Sequence, residues 1–137
     1  MNDYLFIGQL IAERIKEALP TYSVEFSMRW PNNQEADITT PAVIVTLEED
    51  IPGTYAGSSP DQNVDQTWVC IVVVKDNDTA IGTIVSNVIK ALSGWRPSVA
   101  GVRPLKRIKS NFNPENSKGG FYYFPISLTA SFVFTER

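Results

Sequence analysis

The 137-residue sequence contains no histidine. That removes every Ser-His or Cys-His nucleophile and the commonest metal ligand. It has one cysteine, Cys70, so an intrachain disulfide is impossible and a reducing compartment is expected. Cys70 lies inside "TWVCIVVV" and reads as a buried, inert thiol. Long apolar runs are missing too. The longest, residues 69–74, is far shorter than the roughly 20 residues that cross a bilayer. The opening Met1-Asn2-Asp3 carries an acid where a secretory leader carries bases, so the expected site of synthesis and residence is a cytoplasm. There is no glycine-rich phosphate loop: "PGTYAGSS" lacks the Lys-Ser/Thr ending and leads into no helix. Internal repeats and low-complexity segments are absent as well.

The chain is acidic overall, with a net charge of −3, but the charge is unevenly spread. Residues 1–95 carry 13 acids and 5 bases, a balance of −8; residues 96–137 carry 2 acids and 7 bases, a balance of +5. Such a split suits self-association through complementary surfaces, or a polyanion at the basic end. The "EED" at Glu48, Glu49 and Asp50 reads as a solvated strand end rather than a catalytic or metal-binding set. The "DND" at residues 76–78 lacks the rest of a calcium loop and reads as a helix cap. No metal, cofactor or catalytic residue is expected.

Length places residues 1–137 in one domain. Ile7, Leu10, Ile11, Ile15 and Ala18 recur at helical spacing over residues 3–19, with Asp3 as cap and Pro20 as stop. Tyr22, Val24, Phe26 and Met28 alternate as a half-buried strand. Residues 29–41 read as a loop, "AVIVTLEE" as a strand, and residues 50–65 as a long polar loop. "QTWVCIVVVK" is apolar on both faces and belongs at a sheet centre. A second helix with a stripe of Ile81, Ile84, Val85, Val88 and Leu92 ends at Gly94. "RPLKRIKSN" reads as a short strand and "FYYFPISLTASFVFTE" as a long last one, bent or placed at an edge by Pro125. This order has no alternating β-α-β series. The fold class is α+β: one mostly antiparallel sheet of about five strands with both helices on one face.

The basic run Arg96, Arg103, Lys106, Arg107 and Lys109 falls within residues 96–109, beside Trp95. We read it as a protein-contact surface, together with Glu48, Glu49 and Asp50. The alternative is a small monomeric nucleic-acid- or ligand-binding module that uses the same segment. An enzyme relying on Asp, Glu and Lys is the third class, but it would need a carboxylate pair in a pocket. In "LSGWRP", Gly94 can take the left-handed conformation that ends a helix. Trp95 would then fold back onto Ala91 and Leu92, Pro97 would stiffen the exit, and Arg96 would face outward.

An N-terminal helix, a "WVCIVVVKDND" strand leading into a helix, "ALSGWRP", a variable arm and a terminal aromatic strand follow in order. This layout resembles the tail terminator (tail completion) proteins of long-tailed bacteriophages and prophage elements, over nearly the whole chain. The resemblance implies a structural virion protein without enzymatic activity. Six copies would form a ring at the head-proximal end of the tail tube, stopping tube polymerisation and offering a surface for head joining. The implied partners are further copies of the chain, the tail tube protein and a head-completion protein. No membrane is implied, and DNA only as it passes through the ring. The implied locations are the virion tail and, during assembly, the host cytoplasm.

Overall fold

A computed structural model of the chain describes residues 3–28, 39–55 and 61–135. Among these residues, two helices, α1 (Phe6–Ala18) and α2 (Ile81–Leu92), accompany six strands: β1 (Ser23–Phe26), β2 (Ala42–Tyr55), β3 (Asp61–Lys75), β4 (Lys106–Ile108), β5 (Glu115–Asn116) and β6 (Phe121–Thr135). The sheet runs β1-β2-β3-β6-β4, with β5 also paired to β6. The β1–β2 pair is parallel and the other pairs are antiparallel. This is the α+β class, with one strand more than the sequence suggested: the short Glu115–Asn116, paired with β6.

Apolarity on both faces puts β3 at the centre. Trp68, Cys70, Val72 and Val74 join Ile7, Ile11, Ile15, Val88 and Leu92 of the helices in the main core. Val69, Ile71 and Val73 form a second cluster on the opposite face with Ala42, Ile44 and Tyr123. Along β6, Ile126, Leu128, Ala130 and Phe132 face the helices, as the alternation required.

Three boundaries differ from expectation. The stretch read as a polar loop over residues 50–65 is the far part of a long β2–β3 hairpin. Its polarity reflects exposure rather than lack of order: Ile51, Pro52 and Asp65 are exposed although paired. Residues 56–60 and most of the expected loop, residues 29–38, lie outside the described residues. Asp3 and Asp78 do not cap the helices directly. Each carboxylate accepts from the backbone N–H two residues on, Leu5 and Ala80, in turns just before the first helical residue.

Pro125 stands inside β6, opposite Ile71 of β3. On the outer side of β6, β4 pairs with residues 127–129 and β5 with residues 122–123. The proline, which has no N–H to offer, therefore falls in the gap between them.

Helix α1 seats on β3 through Gly8. A Cβ there would lie 2.5 Å from both Phe26 Cε2 and Trp68 Cζ3. Gly8→Ala is thus expected to cost about 1–3 kcal/mol, as overpacking does. Gly82, with open space around it, gives the control: Gly82→Ala should stabilise by about 0.5 kcal/mol. Denaturant unfolding of both variants reads the contrast.

Candidate assembly interface

The acidic end of the sheet is organised by a β-bulge. The β2–β3 register passes from Leu47 opposite Trp68 to Glu49 opposite Thr67, so Glu48 is the extra residue. The half-buried Glu48 side chain crosses β3: its Oε1 accepts 2.6 Å from Ser127 Oγ on β6. The same oxygen lies 3.4 Å from Ser110 Oγ, and Oε2 accepts from the Asn111 N–H at 3.3 Å. Glu48 therefore fastens the chain's own basic arm to its own sheet.

Asp50 is also engaged. It accepts from the Tyr4 hydroxyl at 3.0 Å and from Gln66 Nε2 at 3.1 Å. Gln66 is buried, and its Oε1 accepts from the Trp68 indole N–H at 3.1 Å. A polar chain thus runs from the core to the surface. It leaves Glu49 exposed, on the face that carries Thr67. Farther out, Asp65 and Asp61 accept from Ser131 Oγ at 2.6 Å and Thr135 Oγ1 at 2.7 Å.

The basic side lies across the sheet. Gly94 has φ +78°, and the Trp95 N–H donates to the Leu92 carbonyl at 3.0 Å. The Gly94 N–H donates to Leu105 O, and the Leu105 N–H donates to Trp95 O, each at 2.9 Å. Trp95 is half-buried against the main core and Pro97 is buried, while Arg96 is exposed. The Arg14 guanidinium sits 5.4 Å from the Trp95 ring centroid, and its Nε donates to Ala91 O at 3.0 Å. Nothing in the local pattern around Trp95 pointed to Arg14, some eighty residues earlier.

Lys106 and Ile108 share a face with Thr129 and Ser127, and Arg107 shares the other with Leu128. Arg103 and Lys109 fall outside β4, although "RPLKRIKSN" reads as one strand, so no regular alternation links them to Arg107. All of Arg103, Lys106, Arg107 and Lys109 are exposed. The pairings Glu49–Thr67, Thr67–Thr129 and Thr129–Lys106 form one row across the sheet, an acid at one end and a base at the other. Arg103, by contrast, shares an open cleft with Asp65 of the same chain, beside Asn63, Gly101, Ser131 and Val133.

Among the described residues, no group of three or more His, Cys, Asp or Glu is placed to hold a metal. No helix of the described chain is long and apolar enough to cross a membrane.

Two groups give the fold an alkaline limit. Burial, then the hydrogen bond to Asp50 and its charge, push the Tyr4 phenol from 10.0 up to about 12; burial pushes the Cys70 thiol from 9.0 up to about 12. In both, the folded pKa lies above the unfolded one. The associated stability is complete below pH 9 and is lost as pH rises through 9–12, where the unfolded chain releases its protons first. Denaturant midpoints measured across that range should fall. Tyr4→Phe should flatten the part of the fall above pH 10.

The profile of the phage tail terminator protein family matches residues 1–137. No curated protein matches the chain. Among solved structures, a chain from the virion of a native gene transfer agent (GTA) particle is similar in fold. The TM-score is 0.61 at 11% identity, over 96% of this chain and 100% of that one. At that identity the likeness concerns the fold alone, whereas the family profile spans the chain from end to end. The chain belongs to the phage tail terminator protein family and is a structural tail protein of the virion, not an enzyme.

Proposed function

We propose that the protein forms a hexameric ring on the head-proximal end of a phage tail tube. The ring ends tube polymerisation and presents a surface to a head-completion protein. Its other partners are further copies of the chain and the tail tube protein. It assembles in the host cytoplasm, and DNA meets it only in passing through the ring. One observation supports this reading above the rest: opposite charges stand at opposite edges of one sheet, Glu49 and Lys106 at the two ends of a single row. Head-to-tail contacts need two different surfaces on two sides of a subunit, and this arrangement supplies them.

In this reading Glu49 faces the neighbour's basic arm, while Glu48 and Asp50, expected from the sequence to join it, are engaged within their own chain. Arg103, Lys106, Arg107 and Lys109 form the receiving side. Gly94, Trp95 and Pro97 anchor the turn from which Arg96 projects toward a partner.

Light scattering on the purified protein, with and without tail tubes, tests the ring. Assembly in the presence of tubes is the expected result. A strict monomer under both conditions and at several salt concentrations overturns it. Salt-dependent binding of a monomer to DNA would favour the nucleic-acid-binding module instead. Two variants separate anchor from contact. Trp95→Ala should lower stability by about 3 kcal/mol, the lower end for a large buried aromatic because Trp95 is half-buried. Arg96→Ala should unfold like the parent yet reduce tail completion. A stable Trp95→Ala protein that fails to assemble would exchange the two roles.

A further inference from the structure

The outer edge of β6 is protected along most of its length. β5 covers it at residues 122–123, Pro125 offers no donor, and β4 covers it at residues 127–129. The Arg103 N–H then takes the Ser131 carbonyl at 3.0 Å. Backbone groups alternate sides along an antiparallel strand, so if Ser131 points outward, Val133 and Thr135 do too. Among the described residues no strand pairs with the side of that last stretch that faces away from β3, and Val133 is 39% exposed. It forms one wall of the open cleft that also holds Arg103. A bare strand edge bearing an exposed β-branched residue, with no lysine, proline or covering loop among the described residues, is a template for another strand.

The opposite side of the sheet carries a second such edge. β1 pairs with β2 only over residues 42–45, and the Ser27 N–H takes the Val45 carbonyl. By the same alternation the next outward residue is Leu47, and beyond Val45 no described strand pairs with the side of β2 that faces away from β3. This edge is acidic, with Glu49 and Asp50, whereas the β6 cleft holds Arg103 as well as Asp65, whose carboxylate is taken by Ser131 Oγ.

We propose that the open end of β6, in the cleft beside Arg103, receives the β2 edge of a second copy of this chain, from Leu47 onward, as an added strand. The proposal rests on the ring reading and gives its contact a form: the sheet continues from subunit to subunit. β2 and β6 run in the same direction within the sheet, so a neighbour added head to tail pairs in parallel. Glu49 of the incoming strand approaches Arg103, and the backbone ladder carries the contact.

Residue-resolved amide hydrogen exchange tests the pairing, on the free wild-type protein and on the protein assembled on tail tubes. The amides of both Val133 and Leu47 should slow by at least about tenfold on assembly, as amides entering a ladder do. Arg103→Glu and Glu49→Lys should each weaken assembly by about tenfold, and the combined variant should recover most of it. Val133→Pro should fold normally, because its N–H faces outward, but fail to assemble. If it does not fold, the exchange data on the wild type still decide. An assembled ring with neither amide protected overturns the inference and leaves the ring intact. Protection at Val133 without Leu47 also overturns it, by making another protein the occupant. Failure of the wild type to assemble on tubes removes the ring reading and this inference together.

Discussion

Burying one indole in the middle of the central strand constrains much of the rest. Trp68 has no exposed surface and meets Phe26 edge-on, with ring centroids 5.6 Å apart. A side chain of that size leaves no room for a Cβ on the helix above, hence Gly8. Its N–H cannot go unpaired in a dry core, because an unmet buried donor costs about 1–3 kcal/mol. Gln66 meets it, and burying Gln66 creates a new demand on its amide nitrogen. Asp50 meets that demand, with the Tyr4 carbonyl at 3.4 Å. One large aromatic thus ties the start of the chain, the second strand and the third strand into one network. No buried side-chain nitrogen or oxygen among the described residues lacks a partner.

The same network sorts the three adjacent acids by role. Glu48 is drawn inward over the sheet to Ser127 and the arm, and Asp50 is drawn toward Tyr4 and Gln66. Glu49 lies between them and is exposed. A run that looks uniform in sequence becomes two structural carboxylates flanking one available charge. A comparable division runs through the basic part. Arg103 lends its backbone N–H to β6, Lys106 and Arg107 take opposite faces of β4, and Arg14 from another element steadies Trp95.

The helices, the central strand and the long last strand were legible because each carries a strong period. Val88 and Leu92 recur at helical spacing, and Ile126 to Phe132 alternate without a break. The far half of the β2–β3 hairpin was not legible. It is exposed, so apolar alternation, the usual sign of a strand, has no physical cause there. β5, two exposed residues long, lacks a pattern for the same reason. Of the site, the glycine turn before Trp95 was readable from local chemistry. The contacts of Glu48, Asp50 and Arg14 were not, since each depends on residues brought close only by the sheet's register and helix packing.

That register turns on the bulge. If Glu48 were paired in the ladder instead of bulged out, each later residue of β2 would move one place along β3. Glu48 would then face Thr67, Glu49 would face Gln66, and Asp50 would face Asp65, like charges directly opposite each other. With the bulge, Asp50 stands opposite Gln66 and Ile51 opposite Asp65. The shift joins Asp50 to the network that satisfies Trp68, separates it from Asp65, and sets Glu49 in the row that ends at Lys106. The extra residue itself supplies the carboxylate that holds the arm down. A single insertion therefore connects the packing of the core to the placing of charge at the sheet's edge. A sequence change that removed the bulge would disturb both at once.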